Sequence, residues 1–308
     1  MTGSPLRILS PIAEALRAGR PVVALESSVL AQGLPIPSNV EAARLMTGGV
    51  ARSGAVPAIS AVVKGVPTFG LRPDELERFL AREGVRKVSA RDLPAAIVAG
   101  EDGATTVAAS IALAALAGIS VFATGGIGGV HRDPPFDESA DLMELARSPI
   151  VVVCSGAKSI LDLPATLERL ESLGVPVVGY RTSRLPGFFT IDAGLPLTAR
   201  AESAAELAAI FRAHRSLGRS SALLVVQPPP AEHALPAELV DGAVKRAVER
   251  ARAAGVRGAG STPFLLGEVE RETGGLSLGV NLALLESNAV LAGEIAAALA
   301  TQPAARSG

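Results

Sequence analysis

Short apolar, β-branched runs alternate along this chain with Ala-rich stretches of helical character. The runs PVVAL (21–25), AISAVV (58–63), VRKVS (85–89), ISVFAT (119–124), PIVVVC (149–154), VPVVGY (175–180) and ALLVVQ (222–227) predict strands. Helices are predicted near 38–53, 73–83, 92–99, 104–117, 138–147, 159–173 and 203–217. The C-terminal third reads as helix over 236–254, 263–272 and 280–300. Strands alternating with helices imply βαβ units, hence an α/β fold: three α/β/α layers, a largely parallel central sheet and a helical C-terminal region. Ile150 to Val153 shows no polar alternation, as a strand buried on both faces requires.

The pattern predicts one domain over residues 1–308, with a leader of about 1–20 and a tail of about 301–308 outside the core. "QPPPAEHALP" (227–236) is short and followed at once by helix, so it reads as a loop within that domain. The N-terminus lacks a long apolar stretch, and no run reaches the ~18 apolar residues of a membrane span, so a cytoplasmic protein is expected.

Composition narrows the function. With 48% hydrophobic residues the chain can bury a large core, and with 3% aromatics and no Trp it builds that core from Ala, Val, Leu and Ile. Such a chain has few platforms for stacking bases. Lys plus Arg number 29 against 30 Asp plus Glu, so nothing points to nucleic acid or a membrane as partner. A single cysteine, Cys154, excludes an internal disulfide and a multi-cysteine metal site.

In open α/β sheets ligands gather outside the carboxyl ends of the strands. The polar residues there are Glu26-Ser27-Ser28, Lys87, the turn "TGGIGGVHR" (124–132) and Lys158 in "CSGAKSILDL" (154–163). The glycine turn fails as a dinucleotide fingerprint, because from Gly126 and Gly128 the last glycine position falls on His131 and "DPPF" follows instead of a helix. Its bland reading is a tight turn with positive φ; the functional one is backbone brought close to a ligand, with His131 and Arg132 as donors.

"FDESADLMEL" (136–145) carries Asp137, Ser139 and Asp141 at a helix start. One such residue is explained as an N-cap, and three suggest in addition a hard cation held mostly through waters. "GATTVAAS" (103–110) reads as a hydroxyl cap or as an anion site, with Lys87 as counter-charge, away from the reacting centre. A lysine held from water favours its neutral, nucleophilic amine, and a glutamate held likewise favours its proton-donating form. Glu26 and Lys158 therefore pair as acid and nucleophile, against the plainer readings of a helix cap and a lysine reaching out to solvent.

The segments "VALESSVLAQGLPIPSNVEAA", "KVSARDL", "GEDGATTVAASIALAALAGISVFATGGIGGVHR", "CSGAKSILDLPATLERLESLGVPVVGY" and "GVNLALLESNAVLAGEIA" carry more than chemistry. In order, over about residues 21–299, they resemble the pseudouridine-5'-phosphate glycosidase family, also called indigoidine synthase A-like. The resemblance implies reversible cleavage of the C–C glycosidic bond of pseudouridine 5'-phosphate to uracil and ribose 5-phosphate, in pseudouridine degradation. It implies a homotrimer assisted by one divalent cation per subunit, Mn²⁺. By the matching motifs, Glu26 of A-L-E-S is the proton donor and Lys158 of G-A-K-S-I-L-D the covalent nucleophile. Lys87, Val107, Ser139, Ala140 and Asp141 match substrate contacts, Asp137 the metal ligand, and Asn281 a residue near the base.

Two departures from the family pattern stand out. Gln32 precedes Gly33 where the family usually has histidine, and the stretch between His131 and Phe136 is shorter than usual. The resemblance also gives the position of Lys158 a purpose. With a carbon leaving group, opening the ribose and forming an imine on Lys158 supplies the electron sink through which the base departs. The alternatives are a Schiff-base lyase or aldolase on another sugar phosphate, a non-catalytic sugar-phosphate-binding protein, and a role in pigment biosynthesis.

Overall fold

The computed structural model describes residues 6–132 and 137–301. Among them run eleven strands: β1 (Arg7–Ile8), β2 (Val22–Leu25), β3 (Val56–Val63), β4 (Val66–Phe69), β5 (Val85–Val88), β6 (Asp102–Thr105), β7 (Val121–Ala123), β8 (Val151–Cys154), β9 (Val177–Tyr180), β10 (Ala199–Ala201) and β11 (Leu223–Val226). They form one sheet: nine follow the order β1-β4-β3-β2-β7-β8-β11-β9-β10, and off this path β6 pairs with β3 and β5 with β6. Only the pairings of β3 with β4 and with β6 are antiparallel. Every residue of β2, β7, β8 and β11 is buried, so both faces of the sheet centre are covered.

Helices supply that cover. On the sheet centre lies α11 (Leu276–Ala300), packed on β2, β7 and β8 with α2 (Ser38–Arg52) and α8 (Ala204–Ser216) beside it. The helix α5 (Val107–Ala117) lies on β2, β3 and β7, next to α6 (Ala140–Arg147). By length and composition α11 could cross a membrane, but Val280, Leu284, Leu285, Leu291 and Ile295 are spent in this core.

All seven predicted strands form, and residues 227–236 are a loop. The leader is a correction. Residues 7–17 belong to the core: β1 pairs in parallel with β4, and α1 (Ser10–Arg17) buries Ile12 and Ala15. Arg7 adds a two-pronged pair, 2.8 Å on each prong, to the fully buried carboxylate of Glu75. The tail beyond Thr301 lies outside the described residues, as do 133–136.

Strands β1, β4, β6 and β10 went unpredicted, and two helices start later than expected. Residues 102–105 extend as β6 because they pair with both β5 and β3, so α5 begins only at Val107 behind the cap of Thr106. Likewise α7 (Leu163–Ser172) starts after Asp162, whose carboxylate accepts from the Ala165 N–H at 3.0 Å.

Candidate active site

Because β2, β7 and β8 are neighbours in the sheet, their carboxyl ends deliver Glu26, Thr124 and the Ser155–Lys158 turn side by side. The turn after β7 continues the pairing beyond the strands. Ile127 bridges Ala157, the Ile127 N–H donates to the Gly156 carbonyl (3.1 Å), and the Lys158 N–H donates to the Ile127 carbonyl (3.1 Å). Backbone hydrogen bonds thus fix where the Lys158 side chain starts.

Glu26 is 5% exposed. Its carboxylate accepts from the Ser28 hydroxyl at 2.5 Å and from the Thr124 hydroxyl. Across the turn, the Lys158 ammonium donates to the Gly126 carbonyl. The acid and the lysine are therefore tied to residues two apart in the same glycine turn. Cys154, the last residue of β8, is ill placed for thiolate chemistry: burial pushes its thiol up to about 12.

The glycines of this turn are explained by crowding rather than by left-handed backbone, since none of Gly125, Gly126, Gly128 and Gly129 has positive φ. A Cβ on Gly128 would strike the Ser139 side chain and stand 2.9 Å from Asp141 Oδ2. One on Gly126 would come within 2.7 Å of the Phe188 ring. The turn is thus pressed between the start of α6 and an aromatic wall.

Asp141 welds this arrangement. One carboxylate oxygen accepts from the Ala108 N–H (2.9 Å), the other from the Gly128 N–H (2.8 Å). It joins the first turn of α5, the glycine turn and the first turn of α6. The Ser139 hydroxyl caps α6 by accepting from the Asp141 N–H at 3.2 Å. At α5 the Thr106 hydroxyl accepts from the Ala109 N–H, so two donors of that helix start are already used.

Glu26, Lys87, Val107, Asp137, Ser139, Ala140, Asp141 and Lys158 all line one pocket of about 270 Å³, joined by His131 and Asn281. Lys87 projects from β5 itself. Burial first, then the charge of Lys158, hold its ammonium below the usual lysine range, while Glu26 and Asp141 pull the other way. The sequence set Lys87 apart from Glu26 and Lys158; in the structure it shares one electrostatic neighbourhood with them.

Arg132 points elsewhere, its guanidinium donating to the carbonyls of Leu161 (3.2 Å) and Ser159 (3.4 Å). Gln32 lines the pocket and donates to the Val85 carbonyl at 3.2 Å. Sequence reasoning gave no role to Thr124, Ser28 or Phe188. A hydroxyl beside each strand end was the available signal for the first two; nothing local marks Phe188.

Among the described residues no three His, Cys, Asp or Glu side chains converge as a metal cage. Asp137 lines the pocket, placed by its own carbonyl, which accepts from the His131 N–H at 2.9 Å. One carboxylate beside a ligand pocket fits a hard, water-rich divalent ion and does not fit a zinc centre built from protein ligands.

Residues 11–298 match the family described as indigoidine synthase A like protein. A protein named pseudouridine-5'-phosphate glycosidase from Gemmatimonas aurantiaca is 62% identical, over 95% of this chain and 96% of its own length. One of the same name from Herpetosiphon aurantiacus is 52% identical, over 95% and 97%. Among solved structures, an indigoidine synthase A-like protein from Thermotoga maritima aligns with a TM-score of 0.90 and 37% identity, over 98% of this chain and 99% of that one. Prealnumycin C-glycosynthase AlnA, solved with ribulose 5-phosphate, aligns at 0.89 and 38%, over 96% and 97%. With the family match and the fold in agreement over nearly its whole length, the chain belongs to the indigoidine synthase A like family.

Proposed function

We propose that this protein reversibly cleaves the C–C glycosidic bond of pseudouridine 5'-phosphate, giving uracil and ribose 5-phosphate. The observation that carries this reading is the convergence of Glu26 and Lys158 on one glycine turn, inside a pocket that also holds Lys87. The relatives' name supplies the substrate. In this reading Glu26 gives a proton to the ring oxygen as the C1'–O4' bond breaks, with electrons supplied by the base. The amine of Lys158 adds to C1' and loses a proton. The base carbon takes up a proton as the C1'–C5 bond breaks, its electron pair returning to the uracil ring while the amine lone pair forms the C=N bond. Water then hydrolyses the imine, releasing ribose 5-phosphate and restoring the lysine. Ser28 and Thr124 orient the acid, and Gly126 orients the amine.

The direct test is uracil release from pseudouridine 5'-phosphate, followed by ultraviolet absorbance or chromatography. A protein that never releases uracil is not this glycosidase. A second reading, C–C chemistry on a different sugar phosphate, draws on the likeness to the C-glycosynthase; it would show as an adduct with ribose or ribulose 5-phosphate and no uracil. The resemblance also supports a homotrimer, measurable by sedimentation.

Asp137 would hold a hard divalent cation such as Mn²⁺, which when bound supplies positive charge for substrate oxygens. Chelation is expected to suppress activity without unfolding the protein, and Asp137→Ala to raise the Mn²⁺ concentration needed for half-maximal rate. Full activity after exhaustive chelation would remove the metal from this reading.

Lys87 is assigned to the 5'-phosphate. A charge-assisted contact is worth roughly 1.5–3 kcal/mol, about tenfold to a hundredfold. Lys87→Ala should lower kcat/KM for the phosphorylated substrate by that factor and leave the bare nucleoside nearly unchanged. Its lowered pKa adds a pH signature: the ammonium discharges earlier than an ordinary lysine as pH rises, so the preference for phosphate should fade on the alkaline side. Equal losses for both substrates would reassign Lys87 to the ribose or to the chemistry.

A further inference from the structure

Asn288 sits in the middle of α11 and is fully buried. On packing grounds alone a leucine would serve there, because this face of the helix otherwise offers Leu284, Leu285, Leu291 and Ile295 to the core. A buried amide left unanswered is costly, and this one is answered throughout. Its Nδ2 donates to the Thr124 carbonyl at 2.9 Å and lies 3.4 Å from the Gly125 carbonyl and 3.2 Å from the Ser155 hydroxyl. Its Oδ1 accepts from Gln227 Nε2 at 2.8 Å. A single side chain therefore clamps the residues that follow β7, β8 and β11.

One of these links bears on the chemistry. Thr124 gives its hydroxyl to Glu26, and two residues later the Gly126 carbonyl receives Lys158. Asn288 is not among the residues lining the pocket. We propose that Asn288 is a positioning residue that holds the Thr124–Gly126 turn, and through it fixes the separation between Glu26 and Lys158. A displacement near 1 Å at such a pair costs on the order of a hundredfold in rate.

The kinetic half of this inference rests on the proposed glycosidase activity; the clamp itself does not. Asn288→Leu, or Asn288→Ser should the leucine variant fail to fold, is expected to lower kcat about tenfold to a hundredfold with KM within about threefold. Hydrogen exchange of the amides in 124–128 should quicken. Thr124→Val should lower kcat as well, and the double variant should fall little below the worse single one, because both act through one link. Gln227→Leu is the control: it breaks the same buried network away from the turn, so it should lower Tm while leaving kcat within about threefold.

Unchanged exchange over 124–128 overturns the clamp. Faster exchange with unchanged kcat overturns the positioning role, and so do losses that multiply in the double variant. Should the wild-type protein release no uracil, the glycosidase reading falls, and exchange together with borohydride-trapped ribose 5-phosphate adduct on Lys158 decides the clamp instead.

Discussion

Lys158→Ala is expected to reduce turnover of pseudouridine 5'-phosphate by about 10⁴-fold or more, the scale seen when a covalent route is removed. Folding should survive. The lysine side chain contributes one hydrogen bond, to a carbonyl that water in the pocket can satisfy once the side chain is gone. Incubation with ribose 5-phosphate and borohydride should add the reduced sugar phosphate to the wild-type mass and not to that of the variant. Lys158→Arg should rescue nothing, because a guanidinium remains protonated and cannot form the imine. A purified Lys158→Ala protein that keeps substantial activity would remove this residue from the nucleophile's role.

Glu26→Gln should follow closely, with kcat lower by about 10²–10⁴-fold and KM little changed, the usual range for losing a general acid. The substitution keeps the shape of the side chain and an oxygen for the Ser28 or Thr124 hydroxyl, so the pocket should hold. It also separates the two roles. With the open-chain form of ribose 5-phosphate as ligand, the trapped adduct on Lys158 should still appear, since no glycosidic bond needs protonation. A Glu26→Gln protein within about threefold of wild type would place the acid elsewhere, and His131, which lines the same pocket, would be the next residue to vary.

The central strands were legible because burial on both faces leaves a continuous apolar run, as in Val151–Val153 and Leu223–Val226. Strands that owe their existence to a partner were not. VPTF at 66–69 is interrupted by Pro67 and DGAT at 102–105 has little strand character of its own; both extend in pairing with β3. The leader was misjudged for a related reason: Arg7 gains its place from Glu75, 68 residues away.

The site divides in the same manner. Glu26, Lys87 and Lys158 stand in motifs at or near strand ends, where the topology of an α/β sheet directs attention. What holds them in register is long-range: Thr124 reaches Glu26 across 98 positions and Asn288 reaches Thr124 across 164. Local periodicity carries no trace of such partners. Asp141 adds a second such tie, its two oxygens accepting from backbone of α5 and of the glycine turn, 33 and 13 positions away.

That span of 164 residues between Asn288 and Thr124 also has a meaning in time. A ribosome adds about 5–20 residues per second, so roughly ten to thirty seconds pass between the emergence of the glycine turn and that of the helix that braces it. Throughout that interval β2, β7 and β8 lack α11 on the face it later covers, and the nascent chain exposes apolar sheet surface. Translation thus delivers the brace of the reactive pair well after the turn that it holds. Fragments released before α11 would carry both Glu26 and Lys158 yet lack the element that seats them, which makes such fragments substrates for chaperones rather than working enzymes.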